Sequence, residues 1–193
     1  MSTVEKARAS DVIGSAITKA LEAGETASAK GVYTMQCFDK DGNLKWEAEC
    51  PNLVVNEGLQ DMNNKYFLGS AYTATWYIGL YGSGASNSPA AGDTMALHAG
   101  WTEVVPYSQA TRPACTFATP TTANPSVATN SASPAVYSIN ATATVGGAFL
   151  VSDNTKGGST GTLYSASDFT SPGDRSVVSG DTLNVSYTLS LAG

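Results

Sequence analysis

The stretch Arg175 to Leu191, RSVVSGDTLNVSYTLSL, decides how the fold of this chain is read. From Leu183 every second residue is large and apolar (Leu183, Val185, Tyr187, Leu189, Leu191), and Asn184, Ser186, Thr188 and Ser190 stand between them. A period of two belongs to a β-strand with one face in a core and the other in water. Gly180-Asp181 supplies turn chemistry just before it, and the short apolar pair Val177-Val178 lies further upstream. A closing strand this regular needs sheet partners, so the body is expected to be a β-structure that it completes.

Working outward, the same grammar recurs. Val32 to Glu49 reads as a hairpin, VYTMQCF then DKDGN then LKWEAE. Its register sets Cys37 near Trp46 and leaves Cys50 too far along the strand for a disulfide with Cys37, so with Cys115 the chain is expected to hold three reduced, mostly buried thiols. Thr75 to Tyr81 places Trp76, Ile78 and Leu80 on one face and Tyr77 and Tyr81 on the other, as a central strand covered on both sides would. Trp101 to Tyr107 is strand-like until Pro106, and Arg112 to Phe117 is a short extended segment. Val136 to Val145 alternates again, Gly146-Gly147 is expected to turn the chain into AFLVS, and GTLYSAS follows Gly157-Gly158. Thr119 to Ser133, rich in Pro, Thr, Asn and Ser, is expected to be an exposed loop. Asn56 to Leu68 reads as a short helix with Leu59, Met62 and Tyr66 on one side. Many short strands and frequent turns predict an all-β domain over residues 31–193, built as a β-sandwich, jelly-roll or barrel with one short internal helix.

The first thirty residues differ. Ser10-Asp11 resembles a helix start, Ile13, Ala16, Ile17, Ala20 and Leu21 share one helical face, and Gly24 is a natural stop. An isolated helix of this length is marginal in water and must dock, on its own domain or on a partner. The small residues from Thr26 to Lys30 read as a tether, so residues 1–30 are expected to form an N-terminal helical arm.

Composition narrows the function. The chain has 193 residues, a charged fraction of 13% and a formal net charge of -6, so its surface does not attract a phosphate backbone and nucleic acid is not an expected partner. No run approaches the roughly twenty apolar residues that span a bilayer, and no secretory signal is recognised, so neither a membrane partner nor export is expected.

Chemistry is sparse. His98, the sole histidine, has no Cys or acidic residue at ligand spacing and is expected to be structural. GxSxG does not occur. Glu103 and Asp181 would be a carboxylate pair for glycoside hydrolysis only if folding joined them, and solvated loop acids are the expected alternative. Asp39, Asp41 and Asn43 around Gly42 superficially resemble a calcium loop, but the glycine falls one position early and no Glu follows at the right distance, so a turn is expected. GSGAS at Gly82 to Ser86 lacks the Lys of a phosphate-binding loop. Trp46, Trp76 and Trp101 could stack on sugars, but Trp76 and Trp101 fall in apolar strand patterns that favour core packing. No catalytic, cofactor-binding or metal residue is expected.

The succession NLVVNEGLQDMNNKYF (Asn52 to Phe67), WYIGLYGS (Trp76 to Ser83), AGDT (Ala91 to Thr94), GWTEVVPYSQATRPACTF (Gly100 to Phe117), VGGAFLVS (Val145 to Ser152), GTLYSASDF (Gly161 to Phe169) and RSVVSGDTLNVSYTLSL resembles structural proteins of tailed-bacteriophage virions. The resemblance runs from about Val32 to the end and rests on the order of these stretches. It implies a non-enzymatic head decoration or cement protein, assembled in the host cytoplasm, present in many copies or as a homo-oligomer, and bound through the major capsid protein to the capsid exterior. A tail fibre or tail accessory protein and a carbohydrate-binding β-module are the alternatives. Ile13, Ile17 and Leu21 are the expected capsid-contact residues of the arm.

Overall fold

The computed structural model describes residues 27–73, 75–83, 88–169 and 173–193. The expected arm, with Ile13, Ile17 and Leu21, lies outside the described residues. The chain is mostly antiparallel β-sheet, with one helix among the described residues.

The closing strand does organise the molecule. β13 (Thr182–Ala192) lies between β1 (Ser28–Phe38) on one side and β7 (Ser126–Thr129) and β8 (Ala135–Ser138) on the other, and β2 (Leu44–Pro51) follows β1 at the edge. The β1–β2 register pairs Cys37 with Trp46, as the turn chemistry predicts, and Cys50 with Tyr33. In the turn, one Asp39 carboxylate oxygen accepts from the backbone N–H of Asp41 and of Asn43, which is turn geometry. β1 begins at Ser28, so the last residues of the stretch read as a tether are already strand, with Ser28 opposite Ala192.

The second sheet runs β3 (Leu53–Val54), β11 (Leu163–Asp168), β10 (Gly147–Val151), β4 (Trp76–Ser83) and β5 (Trp101–Val104), with β6 (Ala114–Cys115) also on β4. β4 is central and covered on both faces, as its aromatic pattern requires. Ile78 and Leu80 point into a core shared with Tyr33, Met35, Leu183, Val185 and Tyr187 of the first sheet, while Tyr81 joins Trp101, Phe149, Val151 and Met95 in a second cluster. Hydrogen bonds cross the shared core: the Tyr137 hydroxyl donates to the Ile78 carbonyl at 2.6 Å, and the Tyr33 and Ser165 hydroxyls are 2.8 Å apart. Burying phenols this deeply requires such partners.

Three expectations are corrected. Val136 to Val145 is not one strand: β8 stays in the first sheet, Tyr107 bridges Ile139, and β9 (Ala143–Val145) pairs with β12 (Arg175–Val177) in a separate two-stranded sheet. Gly146 therefore makes no hairpin; it carries the chain from that small sheet into β10, its N–H donating to the Tyr81 carbonyl and its own carbonyl accepting from Phe169. The segment Thr119 to Ser133 is not all loop, because β7 forms within it on the edge of β13. A ladder of main-chain bonds needs no apolar side chains, so composition alone concealed this strand.

The helix α1 (Asn56–Phe67) forms where expected, but its inward face differs. Leu59 and Tyr66 are exposed; Gly58 is buried and Met62 packs on the core. The helix crosses β11 so closely that main chain meets main chain, and the Glu57 carboxylate accepts from the Leu163 N–H at 2.9 Å. Only glycine admits that approach.

Candidate functional site

A groove of about 840 Å³ opens beside α1. Its wall on the helix side carries Asp61, Met62, Lys65, Tyr66 and Phe67, with Tyr72 beyond the helix end. Opposite stand Phe117 to Pro120, which follow β6, and Ala128 of β7. Leu189 and Leu191, the last two apolar residues of β13, line it, as do Trp76 and Tyr164. Thus the alternating face of the closing strand, which is core as far as Tyr187, continues into an open groove, and Leu191 is 38% exposed.

Local contacts fix the inner lining. Trp76 meets Tyr164 edge to face with ring centroids 5.5 Å apart, and the Tyr164 hydroxyl donates to the Met62 sulfur at 3.1 Å. Lys65 forms an ion pair with Asp61 one helical turn away and stands 5.9 Å from the Trp76 ring centroid. The outer rim is different. Tyr66 (83%), Phe67 (75%) and Tyr72 (82%), with Leu68 (76%) following Phe67 in sequence outside the lining, are among the most exposed large apolar side chains, far beyond a scatter of single surface residues.

The groove offers apolar contact more than chemistry. Its two oppositely charged side chains, Asp61 and Lys65, neutralise each other. Burial, helped by the negative charge of Asp61, pushes the Tyr164 phenol up to about 12, so it stays protonated near neutral pH.

The polar residues weighed from sequence are brought to separate places. Glu103, on β5, is held by Arg112, and Asp181, before β13, by Lys45 at 2.5 Å and by the Val178 N–H at 2.8 Å. Each carboxylate has its own cation, and no shared site forms from them. His98 stacks on Trp101 at 3.8 Å, with Nδ1 3.1 Å from the Trp101 carbonyl oxygen, and the Trp101 indole N–H donates to Asp93 at 3.0 Å. Trp101 is core, as its pattern implies; Trp46 is half-buried and donates to the Ser176 carbonyl at 3.1 Å; Trp76 lines the groove. No group of three or more His, Cys, Asp or Glu arranged to hold a metal is found among the described residues. Part of GSGAS lies outside them.

Sequence reasoning missed the groove. The available signal was the run Tyr66-Phe67-Leu68 followed by Tyr72: consecutive large apolar residues on a helix point about 100° apart and cannot all face one core.

Comparisons with protein-family models, with curated proteins and with solved structures find no match.

Proposed function

We propose that the protein is a non-enzymatic structural component of a tailed-bacteriophage virion, a head decoration or cement protein on the capsid exterior. The observation that carries this reading is the groove with its three exposed rim side chains, Tyr66, Phe67 and Tyr72, because an apolar surface of this kind suits another protein. The order of the sequence stretches quoted above supplies the virion context. The two sheets facing across one core are read as a β-sandwich, a rigid body whose buried ion pairs serve its own loops.

The contact surface is the groove region together with the arm that carries Ile13, Ile17 and Leu21, and the partner is the major capsid protein. Such a protein stabilises a shell by binding only the assembled lattice, and many copies make modest single contacts sufficient. Quantitative mass spectrometry of purified particles tests this. Copies in the hundreds per particle support decoration, a handful support a tail fibre or tail accessory role, and absence from the particle overturns the virion reading.

A further inference from the structure

We propose that, in the protein free of any capsid, the groove is the seat of the chain's own N-terminal segment, with Ile13, Ile17 and Leu21 laid against Leu191, Phe67 and Trp76, a seat that the arm leaves when groove and arm meet a capsid. This rests on reading the groove as a protein-docking surface, and not on which particle carries the protein.

The first ground is where the described chain starts. Ser28 lies opposite Ala192 and Ala29 opposite Leu191 in the β1–β13 ladder, and Leu191 is itself a groove residue. The preceding segment therefore sets out one strand away from the groove wall. From Leu21 to Ser28 an extended link reaches at most about 25 Å. The apolar stripe from Ile13 to Leu21, if helical, is about 12 Å long.

The second ground is complementarity. The sequence gives that segment a single apolar stripe that needs cover, and the groove is an apolar trough in need of an occupant. β13 stays alternating to its end, with Leu189 and Leu191 on the core face; the body covers Leu189 only in part and leaves Leu191 exposed. A seated helix gives Leu191 the apolar neighbours that its pattern anticipates and completes the cover of Leu189.

The third ground decides between occupants. A segment joined by a short link acts at an effective concentration in the millimolar range, so it outcompetes the same segment from a second copy at ordinary protein concentrations.

The test uses the full chain, free in solution. Ile17→Cys is combined with Leu191→Cys, and in a control Lys19→Cys, about 200° around a helix from Ile17, is combined with Leu191→Cys. The native thiols Cys37, Cys50 and Cys115 are buried and do not compete. Mild oxidation is expected to give a disulfide within one chain for the first pair only. Alkylation of the single variant Ile17→Cys is expected to be at least about tenfold slower than that of Lys19→Cys, which corresponds to about 1.4 kcal/mol of seating. Disulfide-linked dimers would assign the groove to a second copy and overturn the proposal. Equal reaction of the two positions, or no disulfide from the first pair, would overturn it as well. All these results are independent of whether the protein is found in virions.

Discussion

Arg112 lies wholly inside the protein and grips Glu103 through two parallel hydrogen bonds, Nε to Oε1 at 3.0 Å and Nη2 to Oε2 at 2.7 Å. Two further donors hold loops: Nη1 donates to the Asp153 carbonyl at 2.9 Å and Nη2 to the Gly158 carbonyl at 2.7 Å, while Gly157 N–H reaches Glu103 at 2.8 Å. A buried pair with four of its five guanidinium donors used pins the turn between β10 and β11 to β5.

Arg112→Met should therefore destabilise strongly, because Glu103 keeps its charge inside without its cation. The expected loss is about 3–5 kcal/mol, read as a lower urea midpoint at unchanged slope. A loss below about 1 kcal/mol would mean that water replaces the guanidinium.

Gly58→Ala reverses the usual helix rule. Alanine ordinarily stabilises a helix over glycine by about 1 kcal/mol, but a Cβ here would be driven into the Tyr164 carbonyl of β11. Destabilisation of about 1–3 kcal/mol is expected in thermal unfolding. A stabilised variant would show that α1 stands further from the sheet.

Burial pushes the thiols of Cys37 and Cys50 up to about 11 and that of Cys115 to about 12, from an ordinary 9.0. In the unfolded chain these thiols ionise first as pH rises, so the unfolded state binds fewer protons than the folded one and stability falls. The contribution is complete below pH 9 and is lost between there and about 11 to 12, at about 1.4 kcal/mol per pH unit per thiol. Replacing all three with Ser or Ala should flatten that part of the stability profile. At pH 8 the native protein should resist alkylation at all three and react fully once unfolded; rapid labelling of the folded protein would contradict their burial.

Tyr66→Asp with Tyr72→Asp removes apolar rim surface that the body itself does not bury and that the seated arm does not use. Stability is expected to change within about 0.5 kcal/mol per site, while binding to assembled capsids, measured by co-sedimentation, should be lost. Retained binding would move the capsid contact away from this groove.

Short-range patterns were legible from the residues: the alternating face of β13, the β1–β2 turn with Cys37 beside Trp46, the two-sided burial of β4, and the existence of α1. Each depends on a period or a turn, which is local chemistry. The break between β8 and β9 was hidden because both halves keep a period of two while changing sheets, and β7 was hidden because a main-chain ladder leaves little trace in polar side chains.

By itself, the sequence determined that this protein is a β-rich body whose last strand alternates to its end, because side-chain periodicity is written residue by residue. Only the tertiary structure decided that Glu103 and Asp181 part to separate cations, that Gly58 and not Leu59 faces the sheet, and that Leu189 and Leu191 run out of the core into a groove. Those outcomes depend on which distant segments arrive beside a residue, a matter of packing geometry that no local period records.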